Sequence, residues 1–122
     1  MKRLLSIFVF LLISAGALHA QDKNKKDNFE VKGNCGMCKA RIEKASIKLK
    51  GVKYASWDVE SKELSVIYNE AKCSLSNIKE AISKVGHDTD EFTADDKVYE
   101  KLPACCKYRD PNSMLMDHSM KY

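Results

Sequence analysis

The chain reads as an α+β domain in the order strand, helix, strand, strand, helix, strand. Three observations predict that order. Short runs with alternating apolar and polar residues bracket two segments whose apolar residues recur every three to four positions. Both helical segments run into a glycine, Gly51 and Gly86, the residue a helix C-terminus favours. A polar stretch, Glu60-Ser61-Lys62-Glu63, separates the two middle strand patterns as a hairpin turn does. Such an order builds a split βαβ sandwich: a four-stranded antiparallel sheet with both helices on one face.

The elements follow in turn. Phe29 and Val31 alternate with Glu30 and Lys32 as a short first strand, which Gly33-Asn34-Cys35-Gly36 interrupts. From Met37 to about Lys50 the apolar residues Ile42, Ala45 and Leu49 mark a helix. The second strand carries Val52, Ala55, Trp57 and Val59, and the third places Leu64, Val66 and Tyr68 on one face. A second helix begins at Ser74 or Ser76 and runs to about Val85, with Leu75, Ile78, Ile82 and Val85 as its stripe. The capping box at Ser76 is incomplete, because Lys79 stands where Glu or Gln belongs. The last strand falls around residues 90–93, the least regular of the set.

Four segments are expected: a signal peptide (1–20), a polar linker (21–28), the domain (29–94) and a C-terminal extension (95–122). Lys2 and Arg3, the apolar residues 4–13 and the small residues of 14–20 form the pattern of a secretory signal cut before Gln21. A cut after Ala17 fits the small-residue rule slightly better, and a retained anchor is the alternative. The apolar run is shorter than the ~20 residues of a spanning helix. The expectation is therefore a periplasmic or extracellular protein with no stable membrane insertion after cleavage. The net charge of +4 includes Lys2 and Arg3; without them 19 basic residues face 17 acidic ones, or +2. That is not the basic footprint nucleic-acid binding requires. No Ser/His/Asp arrangement, paired-acid motif or phosphate loop points to an enzyme.

Five cysteines, Cys35, Cys38, Cys73, Cys105 and Cys106, carry the chemistry. An odd number leaves at least one thiol free, metal-bound or paired with another chain. Cys35-Gly36-Met37-Cys38 sits where a strand passes into a helix, so both thiols turn toward one point. The helix N-terminus there favours thiolate. Two thiolates suit a soft, low-coordinate ion, Cu(I) first, with Hg(II), Ag(I) or Zn(II) behind it. A redox dithiol shares the CxxC motif and remains a rival reading, as does a metal-sequestering protein that uses its tail. A structural zinc half-site needs a second ligand pair, for which the vicinal Cys105-Cys106 is a poor match.

Gly33-Asn34-Cys35-Gly36-Met37-Cys38, the following Lys39-Ala40-Arg41-Ile42-Glu43-Lys44-Ala45, and then Gly51-Val52, Ala55 and Val85-Gly86-His87 resemble the heavy-metal-associated domain family. The resemblance covers about residues 29–92. It implies a ferredoxin-like βαββαβ fold and metal carriage by Cys35 and Cys38, as in copper chaperones, copper-exporting P-type ATPases and periplasmic mercury-binding proteins. A metal-transporting P-type ATPase or another copper-handling protein is the implied partner, and a homodimer sharing one ion is open. Two positions depart from the family pattern. Gly33 stands where a core Met is common, and His87 where Tyr or Phe is common. In the family fold that loop lies beside the metal, which makes His87 an accessory ligand candidate or a proton-linked switch; an exposed loop histidine is the plain alternative.

Further candidates carry plain readings too. Met37 is a soft ligand or a flexible filler, and Lys39 and Arg41 offset thiolate charge or form a solvated face. Cys73 is a small buried residue or pairs with a tail cysteine. The tail gathers Cys105, Cys106, Met114, Met116, His118 and Met120 in a polar stretch, either an accessory copper site or an unstructured end with a disulfide.

Overall fold

The third strand is the centre of the sheet because both neighbours bond to it. The computed structural model describes residues 23–115, with the side chains of Met114 and Leu115 left out. Its strands are β1 (Asn24–Glu30), β2 (Val52–Trp57) and β3 (Glu63–Asn69), in spatial order β1-β3-β2 and antiparallel. Leu64, Val66 and Tyr68 are buried along β3 while the residues between them are not, as the period-two reading requires. In β1 the register runs from Asn24 opposite Asn69 to Glu30 opposite Glu63.

That register carries the strand into residues 24–28, which the sequence reading assigns to a linker. The correction has a simple cause: backbone pairing with β3 needs no apolar alternation. Lysines also suit an edge strand, where they discourage pairing with another chain. The Tyr68 hydroxyl donates to Asp27 Oδ2 at 2.7 Å and fastens the segment.

Val52 and Ala55 lie three residues apart, out of step with a strand, yet both are half-buried. A register shift between Val52 and Tyr54 absorbs the extra residue and leaves Tyr54 exposed. Val59 is outside the strand and exposed. The turn begins earlier than expected because Asp58 Oδ1 accepts the Glu60 and Ser61 N–H groups at 2.8 and 2.7 Å. Lys62 follows with φ of 63°.

Helix α1 (Gly36–Ile47) buries Cys38, Ile42, Ala45 and Ser46. It ends before Leu49, and the turn after it needs Gly51 at φ +105°, where a Cβ would lie 2.7 Å from that of Lys72. Helix α2 (Leu75–Ser83) is capped by Ser74, not Ser76: Ser74 Oγ accepts the Asn77 N–H at 3.1 Å, and Asn77 Oδ1 accepts the Ser74 N–H at 3.0 Å. Asn at the third position completes the capping box that Glu or Gln usually completes.

Where a fourth strand is expected, the described residues hold a single bridge, Val31 to Thr89. The chain turns instead. The Thr89 N–H bonds the Phe92 carbonyl at 2.8 Å, and Thr89 Oγ1 accepts the Phe92 and Glu91 N–H groups. Lys79, almost wholly buried, reaches out to Asp90 at 3.0 Å and pins the turn. Donors spent locally cannot extend a ladder.

One core cluster joins the elements: Phe29, Val31, Trp57, Leu64 and Val66 from the strand side meet Ile42, Ile78 and Ile82 from the helices. Leu102 and Cys106 belong to it as well. They come from the extension, which forms helix α3 (Asp96–Glu100) and two 3-10 turns, Ala104–Cys106 and Pro111–Leu115. The extension is thus built onto the domain through residue 115.

Candidate metal centre

Cys35 caps helix α1 with extended backbone and makes no side-chain cap bond, which leaves its sulfur free to face Cys38. The two Sγ atoms are 3.7 Å apart. Gly33 sets the loop's depth, because a Cβ there would meet the Trp57 ring at 3.0 Å and Cys38 Cβ at 3.1 Å. Trp57 thus fills the space beside the loop, and its Nε1 donates to the Val31 carbonyl at 3.1 Å. The indole occupies the ground under the loop where the resemblance leads one to expect a methionine.

The tail closes over this loop. Cys35 Sγ lies 3.7 Å from Cys105 Sγ and 3.6 Å from Cys106 Sγ, and the vicinal sulfurs are 3.9 Å apart. Cys105 donates to the Met37 thioether at 3.6 Å. Cys35 is only 4% exposed, and Cys38 and Cys106 are fully buried; Cys105 is half-buried. A partly exposed loop, expected of a carrier, is therefore not what the structure presents.

Several side chains hold the tail in place. Asn34 Nδ2 donates to Ser113 Oγ at 2.6 Å and to the Cys105 carbonyl at 3.4 Å. The Tyr108 hydroxyl donates to the Gly86 carbonyl at 2.7 Å and accepts the Asp88 N–H at 3.0 Å. Arg109 grips both Asp88 oxygens, at 2.8 and 3.2 Å, with its guanidinium 4.2 Å from the centre of the Tyr99 ring. Sequence reasoning missed Asn34, Tyr108, Arg109 and Ser113, since none belongs to a periodic pattern. Asn34 alone gave a signal, as part of the loop motif.

The electrostatics single out Cys38. The Cys106 S–H that donates to it is the largest cause of a thiol pKa lowered to about 5; burial opposes the shift, and the Asn34 N–H, 3.4 Å away, reinforces it. Burial pushes the Cys35 thiol up, with the Cys38 charge adding to it. Cys106 goes up too, through its bond to Cys38 and then through burial. The surroundings thus favour the thiolate form at Cys38 and the protonated form at Cys35 and Cys106.

His87 is fully buried, which corrects the exposed-loop alternative. It stacks on Tyr108 with ring centroids 5.5 Å apart. Nδ1 donates to the Lys32 carbonyl at 2.7 Å, and Nε2 meets Arg41 Nη1 at 3.4 Å, so both ring nitrogens are engaged beside the cluster. Burial, then the Arg41 charge, lowers its pKa. Arg41 also acts against the rise of the Cys106 thiol, whereas Lys39 turns away to Glu43 and the Trp57 carbonyl. Cys73 sits under the Gly51 turn, outside the thiol cluster. The Met114 side chain and Met116, His118 and Met120 lie outside the described residues.

The comparisons with known proteins converge on this loop and its frame. The family model described as Heavy-metal-associated domain matches residues 29–88. A copper chaperone CopZ of Staphylococcus aureus is 36% identical over 55 residues, which cover 45% of this chain and 81% of the chaperone. The chain belongs to the heavy-metal-associated domain family. A copper-transporting ATPase HMA5 of rice is 32% identical over 96 residues, 78% of this chain but only 9% of the ATPase. Among solved structures, the N-terminal domain of a potential copper-translocating P-type ATPase from Bacillus subtilis, in a Cu(I)-loaded state, superposes with a TM-score of 0.52 at 34% identity. That match covers 54% of this chain and 84% of the other. The family match ends at Asp88, so Cys105 and Cys106 stand outside it and yet reach its loop.

Proposed function

We propose that this chain is an exported soft-metal carrier that takes Cu(I) as cargo through Cys35 and Cys38 and passes it to the thiols of a partner. The observation that carries the reading is the pair of sulfurs 3.7 Å apart at the N-terminus of α1, in a frame shared with a copper chaperone and a Cu(I)-loaded ATPase domain. A buried thiolate at Cys38 offers the first bond without a prior proton loss. Delivery follows by ligand exchange: an incoming thiolate bonds the ion before a cysteine of this chain lets go. A copper-transporting ATPase suits the acceptor role, and Hg(II), Ag(I) or Zn(II) are lesser cargoes for the same donors. The single Val31–Thr89 bridge supports a ferredoxin-like frame with a vestigial fourth strand, and residues 1–20 support export.

The test is Cu(I) titration of the reduced chain 21–122 against a competing chelator, beside the Cys35→Ser/Cys38→Ser variant. Tight binding that the double variant abolishes is the expected result. Binding indifferent to those two cysteines overturns the reading. Disulfide turnover without metal in a thiol-exchange assay would instead establish the oxidoreductase alternative.

A further inference from the structure

Two sulfurs bonded to one ion in a straight line stand twice the metal–sulfur length apart, about 4.6 Å for a bond of roughly 2.3 Å. Cys35 and Cys38 are 3.7 Å apart, too close for a linear grip and suited to a bent one. The tail supplies what a bent arrangement requires. Cys35, Cys105 and Cys106 form a triangle with edges of 3.7, 3.6 and 3.9 Å. Its centre is about 2.2 Å from each corner (edge divided by √3), close to the bond length thiolates make to soft metals. Cys38 lies 3.7 Å from the Cys35 corner of that triangle.

We propose that Cys105 and Cys106 are metal ligands, so that the ion is held by at least three thiolates in a site closed by the C-terminal segment. The proposal deepens the carrier reading and rests on it. The segment is placed for the task by bonds that involve no sulfur: Asn34 to Ser113, Tyr108 to Gly86 and Asp88, Arg109 to Asp88. Each bond from Cys35, Cys105 or Cys106 forms as its thiol proton leaves to solvent, so closure needs no oxidant or reductant. Cys105 is the one member of the quartet that is not buried, and an acceptor thiolate enters there, displacing the tail cysteines before it reaches Cys35 and Cys38.

The experiment counts sulfur neighbours of Cu(I) by X-ray absorption in the chain 21–122 loaded with one equivalent. Three or more sulfurs in the unaltered protein are expected, falling to two in Cys105→Ser/Cys106→Ser, with faster loss of the ion to a competing thiol. Two sulfurs in the unaltered protein overturn the proposal, and that count depends on no variant folding correctly. Cys105→Ser alone, at the half-buried position, gives an independent check: an unchanged release rate speaks against Cys105 as a ligand. The Cys35→Ser/Cys38→Ser variant separates the two claims. Loss of binding there with only two sulfurs in the parent leaves the carrier reading standing without the tail, whereas retained binding fails both.

Discussion

The domain of residues 29–88 and the segment after Asp95 are held by different kinds of bond. In the domain, apolar side chains at regular intervals pack one face of the sheet against Ile42, Ile78 and Ile82, and the polar atoms serve turns and caps. In the segment, Leu102 and Cys106 are the buried apolar anchors, while Arg109, Tyr108, Asn34 and Ser113 supply directed polar contacts. Extended apolar packing is cooperative and hard to open locally; a few directed hydrogen bonds around two apolar anchors open more readily. The ligands of the proposed site divide along the same line, Cys35 and Cys38 on the firm part and Cys105 and Cys106 on the part made to release.

The largest effect should come from breaking the firm region at its widest side chain. Trp57 is fully buried, fills the space beside Gly33 and bonds the Val31 carbonyl. Trp57→Ala should cost about 3–5 kcal/mol in denaturant unfolding, as large-to-small core changes of this size do. The segment should come off with it, since Cys106 and Leu102 pack on the same cluster. A cost below about 1 kcal/mol would mean that the loop's depth is set elsewhere and that the sheet and the thiol loop are separable.

What could be read from the sequence follows this division. The helices, the middle strands and the CxxC loop were legible because each rests on a local signal: a 3.6-residue stripe, a period-two run, a glycine at a helix end. The fourth strand is reduced to one bridge because Thr89 spends nearby N–H groups on its own turn, and the start of β1 was missed because pairing with β3 leaves no mark on polar residues 24–28. Cys105 and Cys106 were visible as candidates, but their arrival at Cys35 depends on contacts across some seventy to eighty residues, such as Asn34 to Ser113, 79 positions apart. No periodicity encodes a hydrogen bond of that range. His87 is the instructive case. Its type suggested a ligand, while its place, between Tyr108, Lys32 and Arg41, gives it a packing partner and two hydrogen bonds.

A smaller effect should fall on the segment alone. Tyr108→Phe keeps the ring stacked on His87 but removes the hydroxyl that bridges Gly86 and Asp88. Leaving a partly buried N–H and carbonyl unpaired costs about 1–2 kcal/mol. Amide exchange should quicken at Asp88 and through residues 99–113, while the amides of Ile42 and Val66 keep their protection. Equal quickening in both places would show that segment and domain open as one unit, against the division drawn above.

The smallest effect is one of pH, and it sharpens the comparison most. Burial acts to raise the Asp88 carboxyl, but the two-pronged Arg109 contact and the Ala94 N–H, 2.7 Å from Oδ1, outweigh it and hold the group below its ordinary value. A carboxyl depressed in the folded state contributes fully above its unfolded pKa, about 4. That contribution drains away as pH falls through the folded value. Docking of the segment should therefore be insensitive to pH near neutrality and weaken below about pH 4. Acid also reaches the domain, because Asp58 is held low by the Ser61 and Glu60 N–H groups of the hairpin turn, so a loss of signal in acid does not by itself locate the event. Asp88→Asn separates the two. The amide keeps an oxygen for the Ala94 N–H and loses the charge facing Arg109, so the segment's exchange rates in this variant should be faster at neutral pH and flatter between pH 5 and pH 3. An acid response of the same size in parent and variant would take Asp88 out of it, leaving Asp58 and the Cys38 thiolate as its sources, and the segment held by Tyr108, the Asn34–Ser113 bond and the buried anchors.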